Sequence, residues 1–154
     1  MALPAPEVQL SIGSRFENIE LVKVVLDDCL RRLKADDDVR HWMEMAMREA
    51  VANAIKHGNK QDPGKRVMVE LAVEGRDVVL RVSDEGEGFD PGVIQDPLQP
   101  ENRFKRDGRG IFYMRRFMDE VDYSSRPGGG TVVTMRKRIG KPAAGSEDLQ
   151  EENS

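Results

Sequence analysis

Only one cysteine, Cys29, occurs in 154 residues. No internal disulfide can form, and the thiol sits in an apolar-periodic segment, so it reads as a small core residue in a reducing compartment. Two histidines and that cysteine are too few to build a structural zinc site. No run of about 18 apolar residues exists, which excludes a membrane-spanning helix. The N-terminus, Met1-Ala2-Leu3-Pro4-Ala5-Pro6, has no basic region followed by an apolar stretch, so it is not a secretory signal. Strong charge of one sign is also missing. The net charge is −4, and Gly140 to Ser154 holds one base, Lys141, against Glu147, Asp148, Glu151 and Glu152. The rest of the chain is therefore nearly neutral and makes a poor nucleic-acid binder, although Arg103 to Arg109 and Arg136 to Arg138 are local basic clusters.

What is present fits a soluble globular chain: 38% hydrophobic and 34% charged residues. The length suits one domain with one core. That domain is expected over 1–139, followed by an acidic, disordered tail over 140–154. Residues 7 to 12 alternate polar and apolar, a strand pattern. Asn18 to Lys34 places Ile19, Val22, Leu26, Cys29, Leu30 and Leu33 on one helical stripe. A second helix follows, with Asp36 or Asp37 as its cap and Val39, Trp42, Met43, Ala46, Ala50 and Ala54 as its apolar set. Gly58-Asn59 reads as a left-handed stop. Arg66 to Glu74 and Asp77 to Ser83 alternate around Gly75 and predict a β-hairpin. The glycine- and charge-rich stretch from Asp84 to Arg109 is long for a connection in a compact domain and suggests a functional lid. A third helix is predicted from Ile111 to Met118, then strands at Val121 to Ser124 and Thr131 to Arg138. Met43, Met47, Met114 and Met118, at helical spacing, read as core. Hairpins and separate helices together predict an α+β two-layer sandwich rather than a doubly wound sheet.

Four segments carry candidate chemistry. Glu49, Asn53 and His57 stand at i, i+4, i+8 and project from one side of the second helix. Ala46, Ala50 and Ala54 beside them are small enough to admit a ligand or another backbone. The same spacing also describes a solvated face. Ser83-Asp84-Glu85-Gly86-Glu87-Gly88-Phe89 ends a strand in an aspartate that can accept a hydrogen bond from an exocyclic amine, with glycines that allow close approach. An ordinary Asp-Gly loop is the alternative. Asp107-Gly108-Arg109-Gly110-Ile111 opens a helix and offers free N–H groups to an anion. It lacks the Lys-Ser/Thr of a Walker loop and the third glycine of a dinucleotide fingerprint. Gly128-Gly129-Gly130-Thr131 precedes the last strand, either as part of a site or as a hairpin turn.

In this order, the words E-A-V-A-N-A-I-K-H-G, V-S-D-E-G-E-G-F-D-P, G-R-G-I-F-Y-M-R-R-F-M-D-E-V and G-G-T-V-V-T-M resemble the GHKL, or Bergerat, ATPases. That superfamily includes DNA gyrase, Hsp90, sensor histidine kinases and MutL. The chain is most similar to its bacterial anti-sigma-factor serine/threonine kinases. The resemblance implies a mostly antiparallel mixed sheet covered on one face by three helices, with an ATP lid. It implies Mg²⁺ on Asn53, Glu49 as general base, and Asp84 on the adenine amino group. Gly86 and Gly88 match the adjoining glycine motif, and Thr131 a threonine beside the adenine. Gly108, Gly110 and Ile111 match the phosphate-binding segment. Arg106 aligns with an arginine that reaches the γ-phosphate, a role for which Lys105 and Arg109 compete. His57 is expected to pack or hydrogen-bond near the nucleotide. His41 is not expected to accept phosphate, because no dimerisation helix pair precedes it.

The function implied is that of a cytoplasmic ATP- and Mg²⁺-dependent protein kinase. It would sequester a sigma factor and phosphorylate a STAS-type anti-anti-sigma protein, with a homodimer in keeping. A partner-switch kinase that holds no sigma factor, and a nucleotide-binding module without catalysis, are the other two readings.

Overall fold

The computed structural model describes residues 7–86 and 114–139. Strands β1 (Val8–Gly13), β2 (Arg66–Glu74), β3 (Asp77–Ser83), β4 (Glu120–Ser125) and β5 (Thr131–Arg138) form one sheet in the order β1-β2-β3-β5-β4. All four pairings are antiparallel, so the described strands contain none of the parallel pairing that a mixed sheet would bring. The helices α1 (Ile19–Arg32) and α2 (Asp37–Asn53), with helical residues 114–117, cover one face.

Period-2 alternation explains the sheet. Val67, Val69 and Leu71 of β2 and Val78, Leu80 and Val82 of β3 point toward the helices and are buried. Glu74 pairs with Asp77, so the β2–β3 turn has two residues, and Gly75 takes φ +61° there. On the other face Arg136 lies opposite Val79 and meets Glu74 at 3.0 Å, Asp77 at 3.4 Å and Glu120 at 3.8 Å. Long charged side chains thus roof buried Val79 and Ala72, where none of the described helices packs.

Helix α1 buries Ile19, Val22, Leu26 and Leu30, while Cys29 and Leu33 pack at the edge of the core. The four methionines expected in the core are all buried. Fully burying each such side chain contributes about 1.5–3 kcal/mol. Asp36 holds the N-cap position of α2 through its backbone, its carbonyl accepting the Arg40 N–H at 3.0 Å, but its carboxylate makes no capping bond. Asp37 instead pairs with Arg40.

The stop of α2 differs from expectation. The helix widens into a π-helical turn at Ala54–Gly58, and Asn59 keeps right-handed geometry at φ −87°. The left-handed residues are Lys60 and Gln61, at φ 52° and 57°. Gly58 is there for space, and buried Asn59 is held by its side chain. The reversal is therefore displaced onto exposed residues, where the Gln61 N–H closes the turn on the Ile55 carbonyl at 2.8 Å.

Candidate functional site

The strand order places β5 between β3 and β4, so the end of β3 lies beside the start of β5. Ser83 pairs with Val132, and the Asp84 N–H donates to the Thr131 carbonyl at 3.0 Å. The Asp84 carboxylate replies across the same junction. Its Oδ1 accepts the Gly86 N–H at 2.9 Å and the Thr131 N–H at 3.2 Å. Both described protein donors therefore fall on one oxygen. Oδ2 faces the end of the α2 run, where a Cβ added to Gly58 would stand 2.3 Å from it.

Three glycines make this arrangement possible. A Cβ on Gly86 would stand 2.0 Å from the Gly58 carbonyl oxygen. One on Gly130, already at φ +110°, would stand 2.0 Å from the Asp84 carbonyl oxygen. Both distances are far inside van der Waals contact, so three chain segments converge on Asp84 only because these side chains are absent. Asp84 is 5% exposed. Burial pushes its carboxyl above the usual carboxylate range, against the pull of the Gly86 and Thr131 N–H groups and the charge of Arg126. Arg126 also donates to the Asp84 carbonyl at 3.2 Å.

Glu49, Asn53 and His57 lie along the helix that runs into this cluster. Glu49 and His57 are exposed and Asn53 is half-buried. Glu49 lines a cavity of about 160 Å³ with Met45, Ala46, Arg48, Met114 and Phe117. It also acts electrostatically on Tyr123 of β4, whose hydroxyl is pushed up chiefly by burial, with Arg115 opposing and Glu49 adding to the rise. Ala46, Ala50 and Ala54 are at most 6% exposed and belong to the core, where their small size lets the helix sit close to the sheet, and Ala46 also lines the cavity beside Glu49.

The structure thus joins Asp84, Gly86 and Thr131 into one bonded unit and sets the Glu49–Asn53–His57 helix against it through Gly58. Gly88, Arg106, Gly108, Arg109, Gly110 and Ile111 lie outside the described residues. So do most of the lid and the tail. Sequence reasoning missed the parts played by Asn59, Arg126 and Tyr123. In the sequence Gly58 reads as a helix stop that also ends the helix motif, and Gly130 as part of a site or a turn; their close approach to Asp84 exists only in three dimensions. Among the described residues no cluster of three or more His, Cys, Asp or Glu could hold a metal ion. Magnesium fits the half-buried Asn53 amide oxygen only if phosphates and water complete its shell.

The model of the histidine kinase-like ATPase domain matches residues 12–137. The anti-sigma F factor of Geobacillus thermodenitrificans is 33% identical over 142 residues, covering 90% of this chain and 96% of the relative. That of Anoxybacillus flavithermus is 30% identical with the same coverage. A solved Mycobacterium tuberculosis chain carrying RsbU and RsbW domains superposes with a TM-score of 0.62 at 22% identity, over 90% of this chain and 34% of that one. The catalytic domain of histidine kinase ThkA superposes at 0.56 and 15% identity, over 86% of this chain and 97% of that one, which speaks to the fold. On the matched domain, the near full-length likeness to anti-sigma F factors and the site geometry, this chain belongs to the bacterial anti-sigma-factor kinase family of histidine kinase-like ATPases.

Proposed function

We propose that this protein is an ATP- and Mg²⁺-dependent serine/threonine kinase and anti-sigma factor, acting in the cytoplasm through a kinase domain over residues 1–139. Its phosphoryl acceptor in this reading is a STAS-type anti-anti-sigma protein. The observation that carries it is the half-used carboxylate of Asp84. Oδ1 is taken by two backbone donors, and Oδ2 is left toward the helix end that follows Glu49, Asn53 and His57. A buried acceptor so placed fits the exocyclic amine of adenine, which brings only donors to that position. Thr131 and Gly86, bonded to the same carboxylate, flank the purine. Asn53 offers an amide oxygen to magnesium, which when bound neutralises charge on the phosphates. His57, one turn on, packs near the nucleotide. Gly88, Gly108, Arg109, Gly110 and Ile111 complete the nucleotide site in this reading, with Arg106 countering charge on the γ-phosphate.

Glu49 is exposed, so a serine or threonine hydroxyl on another protein can reach it. Its carboxylate accepts the hydroxyl proton as the oxygen attacks the γ-phosphorus and ADP departs. Likeness to anti-sigma F factors along nine-tenths of the chain supports a sigma factor as the second partner. The test is transfer from Mg-ATP to a cognate STAS protein. Glu49→Ala is expected to lower the rate by about 10²–10⁴-fold with nucleotide affinity retained. Unaltered transfer by Glu49→Ala contradicts the assignment of the base. Tight Mg-ATP binding with no transfer by the wild type favours a non-catalytic module. Pull-down with no sigma factor favours a kinase of another partner switch.

A further inference from the structure

Asn59 is the most buried polar side chain in the described residues, at 0% exposure. Its hydrogen-bonding groups are engaged in three directions. Nδ2 donates to Ser14 Oγ at 3.0 Å and to the Arg66 carbonyl at 3.0 Å, while Oδ1 accepts the Glu85 N–H at 2.8 Å. The Ser14 hydroxyl passes its own hydrogen to the Lys65 carbonyl at 2.7 Å. The Asn59 N–H bonds the Ala54 carbonyl at 2.8 Å, inside the turn that follows Asn53. One residue therefore joins the exit of β1, the entry of β2, the end of the α2 run and the segment leaving β3.

The bond to Glu85 matters most. Glu85 lies between Asp84 and Gly86, whose N–H groups are already fixed to the Thr131 carbonyl and to Asp84 Oδ1. With the Glu85 N–H held by Asn59, three successive backbone donors of this segment are bound. The third anchor comes from the helix end rather than from the sheet. A buried hub can be mere scaffolding, but this one sets the distance between the two halves of the site. The packing of Gly58 on Asp84 leaves no slack for that distance to drift.

We infer that Asn59 is a positioning residue for nucleotide binding: it locks the Asp84-Glu85-Gly86 segment to the helix that bears Glu49 and Asn53. The inference rests on the nucleotide reading given above, and it deepens that reading with a residue that touches neither purine nor phosphate. It acts on affinity for the nucleotide and leaves the chemical step alone.

The experiment compares Asn59→Ala, Ser14→Ala and wild type, each confirmed as folded. It uses hydrogen exchange of the unliganded proteins and transfer kinetics with Mg-ATP. Asn59→Ala is expected to speed exchange of the Glu85 amide and to raise KM for ATP, each about tenfold, with kcat within about twofold. Ser14→Ala cuts the scaffolding arm alone, so it is expected to lower Tm with KM unchanged. Unaltered Glu85 exchange in folded Asn59→Ala overturns the inference, as does an equal rise of KM in Ser14→Ala. If Asn59→Ala does not fold, Asn59→Asp keeps an oxygen for the Glu85 N–H. Protected Glu85 exchange in that variant supports the inference, and unprotected exchange overturns it. Failure of the wild type to bind Mg-ATP sinks the nucleotide reading, whereas the exchange data judge Asn59 without any ligand.

Discussion

Asp84 is a carboxylate kept where carboxylates are uncomfortable. Burial raises its pKa above the ordinary 3.8, so folding favours the protonated form. The stability this group contributes is therefore present below that ordinary value and is lost as pH rises through the folded one. At neutral pH the ionised side chain works against the fold. Asp84→Asn keeps an oxygen for the Gly86 and Thr131 N–H groups and removes the charge. The variant is expected to melt above wild type at pH 7, with the gap closing toward pH 4, in calorimetric scans across that range. A wild-type advantage at pH 7 contradicts this account of the site. Asp84 was legible in the sequence because a strand pattern ended on it and glycines followed. Asn59 was not, because an asparagine after a glycine at a helix end carries the same local signal as a turn. Its burial depends on Ser14, Arg66 and Glu85, which lie 45, 7 and 26 residues away in the chain.

At the scale of elements, the helical residues 114–117 are tied down by aromatic contact. Phe117 meets Trp42 of α2 edge to face, with centroids 4.7 Å apart and planes at 85°. Lys137 of β5 lies 5.7 Å above the Trp42 ring. These contacts fasten three elements beside the cavity that Glu49 lines. Phe117→Leu keeps apolar volume and deletes the ring pair, so it is expected to cost about 0.5–1.5 kcal/mol in urea unfolding. Measured on the double variant with Trp42→Leu, the two costs should fall short of additive; strict additivity contradicts the coupling. The boundaries of β2, β3 and β5 match the alternation read from the sequence, since period-2 burial on a one-sided sheet is a strong local signal. The strand order was not legible: nothing in local pattern says that β5 inserts between β3 and β4, and that insertion is what sets Thr131 against Asp84.

Over the described residues, the Asp84 cluster and the Asn59 hub collect at one end of the sandwich. The exits of β1 and β3, the entries of β2 and β5 and the end of the α2 run meet there, through Ser14, Asp84, Arg66, Thr131 and Asn59. A ligand that bridges helix and sheet at that end would stabilise the folded state by mass action, about 2.7 kcal/mol at a hundredfold excess over Kd. The most direct measurement is calorimetric titration of the wild type and Asp84→Asn with ATP in the presence of magnesium. The account predicts one saturable site on the wild type and its loss in the folded variant. Absence of association with the wild type, or undiminished association with Asp84→Asn, contradicts it.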